Sequence, residues 1–223
     1  MIACGAFAHQ AVPGATTFGG AADIDEIRDL LTNTLEGRVA RLLFAAPTNV
    51  GWTLPLYELC LLTGQHLVER HAVYRYQHGS MRRESVQIGL VTPEATPLAA
   101  FGTDASQTLS AMLEERGIAF HGERTPVRFH DNRLETLPGG DIRADRVVAL
   151  PRLQGVPISG LPADTDGLIR TDTHGRLDDI ADVYAAGDIT TFPIKQGGIA
   201  AQQALCAAQM IAATAGATIT PQP

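Results

Sequence analysis

The residues best suited to chemistry stand together in residues 182–213, where an apolar run ends in Gly187 and Asp188 and the sequence Lys-Gln-Gly-Gly follows. The apolar run predicts a buried strand, so Asp188 is expected at a strand's carboxyl end, where open α/β sheets bind ligands. Gly187 would let a ligand approach the backbone closely. The helix predicted after Gly197 offers free N–H groups and the positive end of its dipole. Together these features predict a site for an anionic or electron-rich group.

The elements that would position this segment alternate between strands and helices. Apolar runs of strand length cover residues 39–46, 86–91 and 118–121, and helical patterns cover residues 54–67 and 104–115. This alternation is typical of βαβ units and a parallel sheet. Shorter strands are predicted at residues 127–129, 133–136 and 146–150, and their turns indicate a small antiparallel meander. A proline-rich stretch, residues 151–162, is predicted to link two domains.

Composition excludes several classes of function. The chain has 223 residues, a formal net charge of −7, 45% hydrophobic residues and 18% charged residues, a globular balance. The negative charge argues against a nucleic-acid surface. No apolar run reaches the roughly 20 residues that span a bilayer. We therefore expect a cytoplasmic protein, with peripheral membrane contact and a homodimer left open.

Cysteines and histidines give no pattern typical of a metal or a disulfide. Cys4, Cys60 and Cys206 are odd in number and far apart, so buried free thiols are expected. The seven histidines are scattered without the spacing of metal ligands, so no metal site is predicted. No residue stands out as a catalytic acid or base, and the catalytic residues remain unassigned.

The segment ending in Tyr-Ala-Ala-Gly-Asp188 resembles the pyridine nucleotide-disulfide oxidoreductase superfamily. Two further stretches resemble it, the early Ile-Ala-Cys-Gly5 and the Arg170-Thr-Asp172 sequence ahead of the Gly-Asp strand. The resemblance implies a Rossmann-like, three-layer FAD/NAD(P)-binding fold with an inserted βαβ domain. It also implies FAD as the cofactor, with an aspartate on the ribityl chain and a helix start at the flavin ring. The cofactor-binding residues it implies are Gly5, Gly187, Asp188, Lys195, Gln196, Gly197 and Gly198.

The glycine fingerprint that binds the FAD pyrophosphate in this superfamily, G-x-G-x-x-G, occurs nowhere in the sequence. The expectation is therefore a fragment that lacks the N-terminal FAD βαβ motif and that, alone, binds FAD weakly and is inactive. The predicted organisation has a residual segment of the FAD-binding domain at residues 1–37. An NAD(P)-binding-like inserted domain follows at 38–152, and the C-terminal part of the FAD-binding domain at 153–223.

Binding of a nicotinamide nucleotide by the inserted domain is left undecided by the sequence. After the strand at 39–46, the turn contains Pro47, Trp52 and Pro55 and keeps only Gly51, so a backbone cradle for a pyrophosphate is hard to form. Glu58 and Glu94 each have two interpretations, either as a ligand of the nucleotide or as a merely solvated or capping carboxylate. This degenerate turn resembles the sulfide:quinone oxidoreductase and NADH dehydrogenase-like branch, although that branch's redox cysteines are not matched.

The leading hypothesis is part of an FAD-dependent oxidoreductase that passes electrons from NAD(P)H or a reduced sulfur species to an acceptor. Its substrate would be a small redox molecule. The alternative is a non-enzymatic nucleotide-binding or assembly module that has kept the fold. A flavin bleached by NADH, NADPH or sulfide would distinguish the first from the second.

Overall fold

The structure, a computed structural model, describes residues 1–48, 50, 52–78, 86–178 and 180–222, with the backbone alone for 71–78. It contains two compact units, one of Met1–His9 with Arg152–Pro223 and one of Gln10–Pro151. The sequence suggested a boundary after residue 37. Residues 10–37 instead lie in the second unit, because Ile27 and Leu30 pack into that unit's hydrophobic core.

The Gln10–Pro151 unit is built on a five-stranded parallel sheet. Its strands are β2 (Thr16–Thr17), β3 (Arg41–Ala45), β4 (Gln87–Val91), β5 (Ala119–His121) and β9 (Arg146–Ala149). They lie in the order β2, β9, β3, β4, β5, and every neighbouring pair is parallel. Helices α1 (Ile24–Leu35), α2 (Leu54–His78) and α3 (Thr103–Glu115) alternate with the strands. The predicted α/β class with a parallel sheet is confirmed.

A three-stranded antiparallel sheet forms the predicted meander, but with a different third strand. It consists of β6 (Thr125–His130), β7 (Arg133–Leu137) and β8 (Ile142–Arg143). The prediction that residues 146–150 complete the meander is wrong, because β9 pairs in parallel with β3 and β2. Val147, Val148 and Ala149 are buried, as expected for a central strand of a parallel sheet.

The two faces of the parallel sheet bury different partners. Leu42, Phe44 and Leu90 pack with the helices in the larger core. Leu43 and Val91 face the other way and pack in a second core that includes Leu134 of β7. Because successive strand residues point to opposite faces, this alternation indicates a sheet covered by helices on one face and by the meander on the other.

The Met1–His9 and Arg152–Pro223 unit is less regular. Strands β1 (Ala6–His9) and β10 (Arg152–Gly155) pair antiparallel, so part of the predicted linker is a strand. Residues 182–186, predicted as a strand, contain only isolated bridges, from Tyr184 to Arg176 and from Ala185 to Ile2. The described segments beside residues 182–186 pair with them only through these isolated bridges, so no regular ladder forms there. Helix α4 (Gly197–Thr214) confirms the predicted long Ala- and Gln-rich helix.

None of the helices, among the residues that the structure describes, has the length and apolar character that crossing a membrane requires.

Candidate functional site

The early Gly5 and the late Gly187-Asp188 are brought to the same end of a short parallel pairing. Ile2 donates its N–H to the carbonyl of Tyr184 over 2.7 Å, and Ala186 donates to the carbonyl of Ile2 over 2.9 Å. Because the two segments run in parallel, both leave this pairing in the same direction. The sequence prediction that these two stretches belong to one site is therefore consistent with the backbone of this unit.

Gly187 allows the chain to turn sharply before Asp188. Its φ of 80° lies in the left-handed region that favours glycine, and it begins a short 3-10 turn, Gly187–Ile189. The Gly187 N–H donates to Oε1 of Gln203 on α4 over 2.8 Å. The hydroxyl of Thr190 donates to the Gly187 carbonyl over 2.9 Å. The N–H of Gly187 is thus fixed by the helix, and its carbonyl is fixed by the turn itself.

The Asp188 carboxylate is available to a ligand. The residue is half-buried, and its side-chain oxygens accept no hydrogen bond from any residue that the structure describes. Ile189, next along the chain, is fully buried and anchors the turn in the core of this unit. A fixed backbone with an unbonded, half-buried carboxylate is suited to accept hydrogen bonds from hydroxyl groups.

Lys195 supports the turn that carries Asp188. Its ammonium donates to the main-chain carbonyl of Asp188 over 3.1 Å and makes a second, short hydrogen bond to the carbonyl of Thr190. Burial lowers the pKa of Lys195, and the charges of Asp188 and Asp164 oppose that shift. The sequence suggested Lys195 as part of the loop beside a cofactor. Its described contacts are with the chain's own backbone.

Helix α4 begins with two backbone donors free of intrahelical partners. Gln196 is the N-cap, and its side-chain Oε1 accepts the N–H of Ile199 over 2.9 Å. The N–H groups of Gly197 and Gly198, both exposed, belong to the first turn, where no helical acceptor exists. A Cβ on Gly198 would lie 2.9 Å from Gln196 Oε1, so glycine leaves room for the cap. The helix start therefore combines donors with a positive dipole end.

Gly5 and the three cysteines occupy different environments. Gly5 is half-buried with a φ of 72°, and no heavy atom stands within 4 Å of the position a Cβ would take. Cys60 and Cys206 are buried as predicted, and burial raises the pKa of both thiols. Cys4 is exposed, so the prediction of a buried thiol is wrong there. Cys4 lies between the bridge at Ile2 and the start of β1 at Ala6, outside both pairings.

In the Gln10–Pro151 unit, Glu94 is bound by the protein itself. Its carboxylate accepts hydrogen bonds from the hydroxyls of Tyr57 over 2.7 Å, Thr92 over 3.1 Å and Thr53 over 3.3 Å. Tyr57 is fully buried, and burial followed by the hydrogen bond to Glu94 raises the pKa of its hydroxyl. These contacts occupy both carboxylate oxygens of Glu94.

The rest of the degenerate turn is only partly described. Glu58 is exposed, and the Trp52 ring meets Phe101 edge to face at 5.5 Å. Gly51, the one glycine that the sequence left in this turn, lies outside the described residues. No group of three or more His, Cys, Asp or Glu side chains within the described part of the chain could hold a metal ion.

Sequence reasoning missed three residues that shape these sites. Gln203 and Thr190 hold Gly187, and Tyr57 binds Glu94. Gln203 could have been noticed as one of few polar residues on an alanine-rich helix. Thr190 and Tyr57 carry no comparable signal, because their partners are distant or main-chain atoms.

Comparison with known proteins identifies the family. The sequence profile described as pyridine nucleotide-disulphide oxidoreductase matches residues 75–208, which is more than half of the chain. No curated protein sequence matches.

Solved structures have the same fold at low identity. The sulfide:quinone oxidoreductase of Aquifex aeolicus superposes with a TM-score of 0.76 at 17% identity, covering 96% of this chain and 54% of its own. An FAD-dependent pyridine nucleotide-disulphide oxidoreductase of Desulfovibrio vulgaris gives 0.52 at 19%, covering 95% and 53%. The water-forming NADH oxidase of Lactobacillus brevis gives 0.59 at 13%, covering 98% and 46%. The chain thus spans about half the length of these proteins.

The solved structures confirm the predicted Rossmann-like FAD/NAD(P)-binding fold. The matching family profile is that of the superfamily that the sequence resembles. The unbonded carboxylate of Asp188 and the helix start after Gln196 both lie within residues 75–208, the part of the chain that the family profile matches. The chain belongs to the pyridine nucleotide-disulphide oxidoreductase family.

Proposed function

We propose that the Met1–His9 and Arg152–Pro223 unit supplies the flavin-ring half of an FAD site in an FAD-dependent oxidoreductase. The observation that carries the proposal is the pair of an unbonded, half-buried Asp188 carboxylate and a helix start with free N–H groups. Their chemistry fits the cofactor, since ribityl hydroxyls are hydrogen-bond donors and the flavin pyrimidine carries acceptors. Gly187 would let the isoalloxazine side of FAD come close to the backbone.

The remaining cofactor-binding residues would act around this pair. Asp188 would accept hydrogen bonds from the ribityl chain, while the N–H groups of Gly197 and Gly198 would face the pyrimidine. Gln196 would keep the helix start in shape through its cap on Ile199. Gly5 would lie near the pyrophosphate, with its left-handed backbone and open surroundings leaving space.

FAD, when bound, would supply the ring that accepts and passes on electrons. The chain's part would be electrostatic. The positive end of the α4 dipole and the Lys195 charge, seven residues beyond Asp188, would favour negative charge on a group at the helix start. Because Lys195 also donates to the carbonyls of Asp188 and Thr190, it would hold the turn in the geometry that the carboxylate needs.

The electron donor is proposed to be a small reduced molecule, of the reduced sulfur class, instead of NAD(P)H. In the Gln10–Pro151 unit, Tyr57, Thr53 and Thr92 take three of the roughly four acceptor sites of the Glu94 carboxylate, which leaves Glu94 a poor acceptor for the two hydroxyls of a ribose. The Aquifex sulfide:quinone oxidoreductase, named for its action on sulfide and quinone, supports this donor class. The electron acceptor stays unassigned.

The isolated chain is proposed to bind FAD weakly and to lack turnover, since its sequence contains no G-x-G-x-x-G to hold the pyrophosphate. Titration of the purified chain with FAD, followed by flavin fluorescence, tests this. We expect no stoichiometric quenching. Tight binding at one FAD per chain would contradict the half-site proposal. Extending the reading frame upstream of Met1 is a second test, because a strand, a G-x-G-x-x-G and a helix there would support it.

The donor is tested in a longer protein that also carries the G-x-G-x-x-G half and is loaded with FAD, by anaerobic mixing with sulfide, NADH or NADPH. We expect sulfide to bleach the flavin absorbance and the two nicotinamide nucleotides to leave it unchanged. Bleaching by NADH or NADPH would reject the proposed donor class. Bleaching by none of them, with FAD still bound, would favour the non-enzymatic nucleotide-binding module.

A further inference from the structure

A cavity of about 420 Å³ lies on the meander side of the parallel sheet in the Gln10–Pro151 unit. Arg41 and Gln87, the first residues of β3 and β4, stand at one end of it. Open α/β sheets bind nucleotides at the carboxyl ends of their strands. The cavity is therefore distinct from the position around Glu94, which follows the end of β4.

The cavity exists because small residues leave part of the sheet uncovered. Gly89 and Ala119 are paired neighbours on β4 and β5, and Ala119 is exposed. A Cβ on Gly89 would lie 2.7 Å from Cδ2 of Leu43, so glycine lets the Leu43 side chain lie flat against β4 at the base of the cavity. Ile142 and Arg143 of β8 form the wall where the meander ends.

The charge around the cavity is of one sign. Arg41, Arg116 and Arg143 line it, and among the described residues its lining includes no Asp or Glu, although the chain carries a net charge of −7. Arg41 and Arg143 form no ion pair with a residue that the structure describes. Three guanidinium groups without a lining carboxylate make an anion favourable there.

Two carboxylates close in sequence to the lining arginines are already engaged. Asp145 accepts the main-chain N–H groups of Ala40 and Arg41, each over 2.8 Å, through one oxygen. Glu115 lies 3.3 Å from Nη1 of Arg116, its neighbour in sequence, in an exposed pair. Exposed pairs of this kind are weak, so Arg116 could exchange Glu115 for a better anion.

The floor of the cavity is apolar or uncharged. Leu43 and Ala119 contribute hydrocarbon. His121 also lines it, and burial, with the charge of Arg124, lowers the pKa of its ring, which keeps the imidazole neutral near pH 7. An apolar floor beside an arginine rim suits a ligand that has both an apolar body and an anionic group.

We propose that this cavity binds a small amphipathic anion, whose phosphate or carboxylate is bound by Arg41, Arg116 and Arg143 and whose apolar body covers Gly89 and Ala119. Its volume lies within the range of about 300 to 1,000 Å³ that small-molecule sites occupy. The inference is independent of the flavin site, because every residue in it belongs to the Gln10–Pro151 unit.

Isothermal titration of the purified chain with 1-naphthyl phosphate tests the proposal. We expect saturable binding at one site per chain, with 1-naphthol and inorganic phosphate each at least about tenfold weaker, since each lacks one half of the recognition. A parallel titration with 1-naphthoate distinguishes a phosphate site from a carboxylate site. Absence of saturable binding by both anions would overturn the proposal.

Variants assign the binding to this cavity. The double variant Arg41→Gln/Arg143→Gln should weaken the binding of 1-naphthyl phosphate by at least about tenfold, as the loss of charge-assisted hydrogen bonds predicts. The matched control is Arg28→Gln/Arg38→Gln, which removes the same charge from exposed arginines around α1 and should leave the affinity unchanged. Equal losses of affinity in both double variants would show that the effect depends on net charge alone and would overturn the assignment.

A third variant tests the apolar floor without changing charge. Ala119→Leu fills the exposed floor beside Gly89 and should also weaken naphthyl phosphate binding, while circular dichroism checks that the fold is kept. If the two arginine substitutions unfold the chain, Ala119→Leu still decides the question. Unchanged affinity in folded Ala119→Leu would overturn the proposed site.

Discussion

The Lys195 ammonium donates a hydrogen bond of 3.1 Å to the main-chain carbonyl of Asp188, and thereby ties the start of α4 to the turn after Gly187. Lysine is better placed than arginine for this, because its compact ammonium points its donors in several directions at once. A second donor reaches the carbonyl of Thr190. Lys195 therefore acts first as a positioning residue for the Asp188 turn.

In the protein that binds FAD, Lys195→Met should weaken FAD binding about tenfold. The substitution removes charge-assisted hydrogen bonds worth about 1.5 kcal/mol or more. It should also lower the flavin reduction potential, because a positive charge beside the helix start is lost. The measurements are FAD affinity by apoprotein reconstitution and the potential by dye equilibration. A changed potential with unchanged FAD affinity would mean that Lys195 acts by charge alone, without positioning the turn.

Asp188→Ala should weaken FAD binding by about tenfold or more with little change in melting temperature, because the carboxylate accepts no hydrogen bond from a described residue and would lose only its charge interaction with Lys195. Asp188→Asn, which keeps one oxygen acceptor, should lose less. Asp178→Ala, an exposed carboxylate of the same unit, is the matched control and should bind FAD as before. Equal affinity in all three variants would remove Asp188 from the ribityl site.

The alternation of strands and helices was predictable from sequence, because it depends on local residue type and periodicity. The cofactor-binding role of the Gly187-Asp188 segment stays a prediction. The pairing of β9 was not predictable. Arg146–Ala149 follows the meander directly along the chain, yet it pairs in parallel with Arg41–Ala45 about a hundred residues earlier. Its buried triplet of Val147, Val148 and Ala149 fits either sheet, so only the tertiary fold decides between them.

The direction of the Lys195 side chain was equally beyond the sequence. A lysine before two glycines could extend to a ligand or fold back, and the choice depends on where the carbonyls of the 188–190 turn point. The same holds for Glu94, whose three hydroxyl partners are Thr92 and two residues at the start of α2, Thr53 and Tyr57. Contacts of this kind require coordinates, because no spacing rule connects the residues.

Tyr57→Phe should lower the free energy of unfolding by about 1 to 3 kcal/mol, because the half-buried carboxylate of Glu94 is left with fewer donors. The affected bond is the 2.7 Å contact from the Tyr57 hydroxyl to Glu94. Tyr184→Phe is the matched control, since Tyr184 is also buried but no hydroxyl contact to a described residue accompanies it. Urea unfolding measures both. A loss in Tyr184→Phe as large as in Tyr57→Phe would indicate a general cost of removing the hydroxyl.

The meander carries an exposed cluster whose contribution to stability should depend on pH. Nε2 of His130 lies 2.7 Å from Glu135, and Arg128 binds both Glu135 oxygens over 2.8 Å. Hydrogen bonding to Glu135 and then to Asp131 raises the pKa of His130. Hydrogen bonds from Arg128 and His130 lower the pKa of Glu135 to about 2.

The signs of these shifts define the pH window. A raised pKa in the folded state means that His130 stabilises the fold below its unfolded pKa and that this contribution is lost as the pH rises through the folded pKa. For Glu135, the lowered pKa gives stability above its unfolded pKa, lost as the pH falls toward about 2. The His130–Glu135 pair should therefore stabilise most between the ordinary pKa values of a glutamate and a histidine, about 4.3 and 6.5.

His130→Gln should lower the melting temperature relative to the unsubstituted chain near pH 5.5, and the difference should shrink toward pH 8.5. His9→Gln, an exposed histidine on β1, is the control and should show no such trend. An NMR titration of the His130 ring should give a midpoint above the ordinary value, and Glu135→Gln should bring that midpoint down, because the first cause of the shift is removed. A midpoint that does not move in Glu135→Gln would mean that the 2.7 Å contact does not persist in solution.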